Sequence, residues 1–143
     1  MGKRRHSREL AMQALFYMDM VGDISKPRLE LFNRNLEPDE SAGPFFEELV
    51  LGVINNMIEL DSVIERFSNN WKINRMACVD RNIIRIAVYE MLYIKEIPSK
   101  VSINEAIDIG KLFGTNESGA FINGILDSIR IAIEKKELKL RSD

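Results

Sequence analysis

The sequence predicts an all-α protein of about seven helices, and three observations lead to this fold class. Apolar residues recur at the helical spacing of 3.6 through most of the chain, and no run alternates convincingly like a β-strand. Helix start and stop signals fall at the ends of these periodic segments. The 143 residues are 45% hydrophobic and 29% charged. This size and composition suit one ordinary core, so residues 1–143 are expected to form a single all-helical domain.

The N-terminal half is expected to contain three helices followed by a bend. The first helix runs from about residue 4 to residue 20, and a second follows Ser25. Residues 38–43 form the least structured loop, after which Pro44 suits the first turn of a third helix. A bend at residues 60–62 leads into a further segment, for which Ser62 and Glu65 form a possible capping box.

The C-terminal half begins with the most hydrophobic helix, expected over residues 80–94. Only Arg85 and Glu90 are charged between Ile83 and Ile94, which predicts a central helix surrounded by others. A helical hairpin follows over residues 101–127. Its signals are a capping box, a glycine for a left-handed helix end, and a polar cap before the last helix: Ser102 with Glu105, Gly114, and Thr115 or Asn116.

Composition excludes several classes of site. Cys78 and His6 are the only thiol and the only imidazole, so neither an intrachain disulfide nor a structural zinc site is expected. No strand precedes the glycines of the hairpin, which argues against a phosphate-binding loop. No acid–base pair stands out, so we expect no catalytic residue, no metal and no cofactor. Without an apolar run near the ~20 residues of a membrane span or a signal-peptide core, a cytoplasmic protein is expected.

The charge distribution singles out the first helix. The net charge is −2, yet residues 1–8 carry four basic side chains and no acid, while residues 37–48 carry five acids and no base. A helical projection places the core stripe on one side and Arg5, Arg8, Met12 and Phe16 on the other. Arginines beside an outward aromatic suit single-stranded nucleic acid. Alternatively, Phe16 packs under the second helix and the arginines are a solvated terminus.

Other candidate residues have two readings each. Phe121 lies at the edge of the core stripe of its helix, so it either packs in the core or faces a ligand. Lys111 is either solvated or a contact residue. Arg85 in an apolar helix requires a carboxylate from another helix or an opening to the surface. Asp80 is most simply a helix cap or a partner of the helix dipole.

Three segments together resemble the NusB family of transcription antitermination factors: RRHSRELAMQALFYMD, DRNIIRIAVYEML and VSINEAIDIGKLFGTNESGAFINGILD. The resemblance covers essentially the whole chain in order, and the last segment is the most specific. It implies two small helical bundles packed side by side. It also implies binding of the boxA element of nascent ribosomal RNA as a single strand, together with the ribosomal protein NusE. Such a complex helps RNA polymerase read through terminators, and the protein itself catalyses nothing.

The resemblance also implies roles for particular positions. The RNA-binding positions of the family fall on Arg4, Arg5, His6, Arg8, Phe16, Lys111, Glu117 and Phe121. The acidic position implicated in contact with NusE falls on Asp80, and Arg85 lies in the same neighbourhood. Ala120 precedes Phe121 where some members carry a basic residue, so no phosphate contact is expected from that position. The alternative is a non-catalytic protein-interaction scaffold, a homodimer whose basic face is covered.

Overall fold

The computed structural model describes residues 2–36 and 43–141, and the regular structure within these ranges is helical, as predicted. The described elements are α1 (Gly2–Met20), α2 (Lys26–Arg34), α3 (Gly43–Asn55), α4 (Met57–Arg66), a 3₁₀ turn (Ile73–Arg75), α5 (Cys78–Tyr93), α6 (Ser99–Phe113) and α7 (Ser118–Glu134). None of these helices is long and apolar enough to cross a membrane. The loop predicted over residues 38–43 lies outside the described residues except for Gly43, which begins α3, and so does part of the acidic stretch at residues 37–48.

Helix α5 is the centre of the molecule, as its apolar sequence predicts. It contacts α1, α3 and α4 on the N-terminal side and α6 and α7 on the C-terminal side. The remaining main contacts stay within one half: α1 packs on α2 and α3, α3 packs on α4, and α6 packs on α7. The fold therefore consists of two helical groups that share α5, which confirms the expected pair of small bundles.

Helix α1 runs antiparallel to α5, and two ion pairs fix this direction. Arg8 near the start of α1 bonds Glu90 near the end of α5, while Asp19 at the end of α1 bonds Arg81 near the start of α5. Ser102 in α6 also bonds Glu90. Helices α1 and α6 therefore both lie against the C-terminal part of α5.

Helices α3 and α5 approach most closely at Gly52. A Cβ atom built on Gly52 would lie 2.1 Å from Cζ of the Tyr89 ring, far inside van der Waals contact. The glycine thus leaves the space that the tyrosine ring occupies. This explains a glycine within an otherwise apolar helix, where it carries a cost in helix propensity.

The bend in the N-terminal half lies at Asn56, between α3 and α4, and the predicted position at residues 60–62 is wrong. The Asn56 side chain donates a hydrogen bond to the carbonyl of Gly52, 2.8 Å away. Ser62 and Glu65 both lie inside α4 and form no capping box. The Glu65 carboxylate instead accepts the N–H of Ile73 at 2.8 Å, which fastens the loop after α4.

The hairpin forms as predicted, but its boundary chemistry differs. Helix α6 begins at Ser99 after Pro98, so Ser102 is already helical and the predicted capping box is wrong. The Ser102 hydroxyl donates to Glu90, and Glu105 accepts from Arg5, because both side chains find tertiary partners. Gly114 does end α6, with a φ of −100° outside the left-handed region. A Cβ there would lie 2.3 Å from Oγ of Ser118, so close approach explains this glycine.

Candidate nucleic-acid interface

The first turn of α1 presents exposed positive charge. Lys3, Arg4 and His6 are all exposed, and no acid occurs among residues 2–8. The guanidinium of Arg4 lies 4.7 Å from the ring centre of Phe45, at a distance suited to a cation–π contact. This contact orients Arg4 while leaving its charge available to an anion.

Arg5 is held by acids of α6. Its Nε lies 2.6 Å from Oε1 of Glu105, and its Nη2 lies 2.9 Å from Oδ2 of Asp108. The hydrogen bond to Glu105 raises the pKa of Arg5 further, against burial. The same bond lowers the pKa of Glu105. Arg5 therefore ties α1 to α6, and its charge is already largely balanced.

Arg8 is buried, and the predicted outward face of α1 is wrong at this position and at Met12. Arg8 is 4% exposed, and its Nε and Nη2 donate to the two carboxylate oxygens of Glu90 at 2.8 and 2.9 Å. The Ser102 hydroxyl donates to the same carboxylate at 2.8 Å. A helical projection of α1 does not include its neighbours. Here α3 and α5 pack on α1, and Glu105 of α6 lies 3.4 Å from Nη1 of Arg8, so the buried sector is wider than predicted.

Phe16 lies between its two predicted states. Its side chain is half-buried and packs against the hydrophobic core, leaving part of the residue accessible. Such a ring offers a stacking surface only through its exposed part.

The hairpin brings three predicted residues to one end of the molecule. Lys111 and Glu117 are exposed, and Glu117 is the residue that precedes α7. The stem of Lys111 passes over Gly119, where an added Cβ would lie 3.3 Å from Cε of the lysine. Phe121 is half-buried, with its ring centre 5.7 Å from that of Trp71. Trp71 is not among the predicted site residues, although it lies directly after Asn69 and Asn70, a turn signal.

Arg85 forms a structural ion pair, one of the two solutions open for it. It is 5% exposed, and its Nε and Nη2 donate to Asp61 at 2.8 and 3.0 Å. Its Nη1 donates to Asp19 at 3.1 Å. Burial raises the pKa of Asp19, but bonds from Arg81 and Asn82 and the arginine charges outweigh it and lower the pKa to about 2.

Asp80 lies beside this network in the first turn of α5, where a carboxylate is favourable against the helix dipole. It is 8% exposed, and its Oδ1 accepts no hydrogen bond from the residues that the structure describes. A buried carboxylate oxygen without a donor is costly. Asp80 therefore has a buried acceptor without a donor among the described residues, in the first turn of α5.

Comparison with known proteins identifies the chain. The NusB family model matches residues 5–130. Transcription antitermination protein NusB of Desulfatibacillum aliphaticivorans is 57% identical over 137 residues, 96% of each chain. A structure of T. maritima NusB matches with a TM-score of 0.79 at 37% identity, over 94% of this chain and 97% of that one. A structure of antitermination factors NusB and NusE in complex with dsRNA matches with a TM-score of 0.77 at 25% identity, over 92% of this chain and 98% of that one. The chain belongs to the NusB family.

Proposed function

We propose that this protein is a transcription antitermination factor that binds the boxA element of nascent ribosomal RNA as a single strand, together with NusE. The complex promotes read-through by RNA polymerase, so the protein works in the cytoplasm, by binding and without catalysis. The observation that carries the proposal is the match, over 92% of the chain, to a structure of antitermination factors NusB and NusE in complex with dsRNA.

The described surface supports an RNA site with two parts. The first turn of α1 supplies the accessible cation Arg4 and the exposed imidazole of His6, and the hairpin end supplies Lys111 and Phe121. Phosphates bind the cations, and an unstacked base lies on an aromatic ring. Phe16 adds its exposed part to the same site. Glu117 accepts hydrogen bonds from an exocyclic amino group or a ribose hydroxyl.

Arg5 and Arg8 act differently from Arg4 in this proposal. Arg5 is half-buried against α6, so an RNA phosphate competes with Glu105 and Asp108 for its guanidinium. Arg8 is buried against Glu90 and holds the helix that carries Arg4 in place. The RNA-binding positions of the family therefore divide here into contact residues and supporting residues.

The NusE contact is proposed at Asp80, whose Oδ1 lacks a donor among the described residues. The oxygen is enclosed in the unbound protein, so a lysine, arginine or backbone N–H of NusE would reach it once the Asp80 side chain turns towards the surface. Arg85 is enclosed by Asp61 and Asp19, so its proposed part is to fix the first turns of α5. In this proposal NusE raises the affinity for RNA. RNA then raises the affinity for NusE by the same factor, because linkage between two ligands is reciprocal.

Fluorescence anisotropy tests the proposal. A labelled single-stranded boxA-like RNA is titrated with the protein alone and with NusE, beside a scrambled strand and a boxA duplex of the same length. The expected order of affinity is single-stranded boxA above the scrambled strand and the duplex, with the difference largest in the presence of NusE. Equal affinity for boxA and scrambled RNA with NusE present would contradict the proposal.

Single substitutions separate the two contacts. Arg4→Gln and Phe121→Ala should weaken RNA binding, while Lys26→Gln, an exposed lysine at the start of α2, should not. Asp80→Lys should reduce NusE binding more than it reduces binding of RNA alone. Light scattering tests the alternative of a homodimer that covers the basic face, since RNA would then have to dissociate it.

A further inference from the structure

Trp71 is an exposed aromatic residue that the RNA site described above does not use. Its side chain is 52% exposed, although a tryptophan of this size is usually mostly buried. Its ring lies 5.7 Å from Phe121, with the two planes inclined at 59°. The two rings thus form a continuous aromatic surface across the loop after α4 and the start of α7.

A groove runs along this pair of rings. It encloses about 350 Å³, within the range of sites for small ligands. Its floor on α7 is formed by Ala120, Gly124 and Ser128, which are spaced four residues apart and have small side chains. The small side chains leave space above this part of α7, and the rings of Trp71 and Phe121 border that space.

Positive charge adjoins the groove on the side of Trp71. A second depression is lined by Asn70, Trp71, Lys72 and Arg75, so the tryptophan belongs to both. Lys72 and Arg75 are exposed and form no ion pair with any residue in the ranges 2–36 and 43–141. An aromatic surface bordered by unpaired cations is the arrangement that single-stranded nucleic acids favour.

The loop that carries Trp71 is held in a fixed shape. Asn69 and Asn70 adopt left-handed φ angles of 56° and 64°, which turn the chain sharply. The Ser68 hydroxyl donates to the Trp71 carbonyl at 3.2 Å, and the Trp71 N–H donates to the Ser68 carbonyl at 3.1 Å. The side chain is consequently presented at the surface without the entropy cost of ordering a free loop on binding.

We propose that Trp71 and Phe121 together bind an unstacked base of single-stranded RNA in this groove, while Lys72 and Arg75 bind the adjoining phosphates. This inference rests on the proposed RNA-binding function and extends the RNA path beyond the hairpin. Lys111 of α6 passes over Gly119, two residues before Phe121 on α7, so the proposed path leads from α6 across α7 to the loop after α4. Because the two ring planes are inclined at 59°, the bound base stacks on the face of Trp71 and meets Phe121 at an angle, beside Gly124.

Trp71 is the only tryptophan of the chain, so its own fluorescence reports on the groove. The full-length protein with NusE is titrated with unlabelled single-stranded boxA-like RNA, and emission at Trp71 is compared with anisotropy of a labelled strand. A base stacked on the indole should quench the emission with the same Kd that anisotropy gives. Anisotropy that shows binding without a change in emission would overturn the groove and leave the RNA-binding function standing. If neither signal responds, the proposed function itself fails.

Variants provide the second test. Trp71→Ala should weaken RNA binding about 5- to 150-fold, the range for loss of one stacked base, while Trp71→Phe should retain most of the affinity. Ile58→Ala is the matched control, since Ile58 is 89% exposed on α4 and lies outside the groove. A Trp71→Ala variant that binds RNA as tightly as the parent would overturn the inference.

Two further outcomes are decisive. The Lys72→Gln, Arg75→Gln double variant should lower the slope of log affinity against log salt by about 1.4, at about 0.7 per phosphate on a single strand. An unchanged slope would remove both residues from the RNA path. If NusE alone changes the Trp71 emission and RNA then adds nothing, the groove is a protein contact and the RNA assignment is wrong.

Discussion

Substitution of Arg8 by methionine should strongly destabilise the fold, because it leaves a buried carboxylate without its cation. The Glu90 side chain is 1% exposed, and the Ser102 hydroxyl would still donate to it. Breaking a buried ion pair by removing one partner costs about 3–5 kcal/mol. For a domain of this size, each kcal/mol corresponds to about 3–4 °C in Tm, so the expected loss is about 10–20 °C.

Urea unfolding followed by circular dichroism measures this loss, and a double-mutant cycle identifies its cause. Glu90→Leu alone leaves Arg8 with only the more distant carboxylate of Glu105, 3.4 Å from its Nη1, and should also be destabilising. The Arg8→Met, Glu90→Leu double variant should be far more stable than the sum of the two single losses predicts, since an apolar pair replaces the ion pair. Arg8→Met losing less than about 1 kcal/mol would refute this reasoning.

The same variant also tests whether Arg8 touches RNA. A phosphate contact contributes about 0.7 to the salt slope on a single strand. Measured at a temperature where the variant is folded, Arg8→Met should keep the slope of the parent, whereas Arg4→Gln should reduce it. A lower slope for Arg8→Met would return Arg8 to the contact residues.

Three other substitutions have defined outcomes. Asp19→Asn should flatten the dependence of stability on pH in acid. The folded pKa of Asp19, about 2, lies below the ordinary 3.8, so the carboxylate stabilises the fold above about pH 4. This contribution, about 1–2 kcal/mol, is lost as the pH falls towards 2. Urea titrations at several pH values measure the difference. Gly52→Ala should cost about 1–3 kcal/mol through the clash with Tyr89, and adding Tyr89→Ala should remove the clash component in a double-mutant cycle. Leu138→Ala should cost about 2–3 kcal/mol in thermal unfolding, because this leucine after α7 is 6% exposed; no loss would mean that the segment does not pack in solution.

The architecture could be read from the sequence wherever the pattern was long and one-sided. The apolar run of α5 predicted its central place because no charged face remained to meet water. Gly114 marked the end of α6 correctly, although for a different reason, the approach of Ser118. These features depend on the spacing of residues that are close in the chain, and that spacing can be read from a single sequence.

The wrong predictions have one physical cause: these side chains bind partners that are distant in the sequence. Ser102 and Glu105 have the spacing of a capping box, yet Glu90 and Arg5 bind them, because a charged partner outcompetes a backbone N–H. Arg8 looked exposed because a helical projection gives a direction and not the neighbours that lie there. Glu90 was the available signal: a carboxylate in an apolar helix needs a cation, and the sequence alone did not say which one.

Trp71 was missed for a related reason. Its exposure is a property of the loop between α4 and α5, and loops carry no periodicity from which to predict a face. The ring meets Phe121, which is 50 residues later in the chain. Only the folded backbone brings the two rings together.

The two ion pairs that join α1 to α5 fix the position of α1 along α5. Arg8 and Asp19 are pinned to opposite ends of α5 and are eleven residues apart, about 16 Å along a helix. The basic first turn of α1 and the head of α5 with Asp80 are therefore held at a constant separation. Because this spacing is set when the chain folds, the proposed RNA and NusE contacts would lie on a rigid support. Cooperative binding of the two proposed ligands would then arise from contacts between them, with no entropy cost for ordering this support on binding.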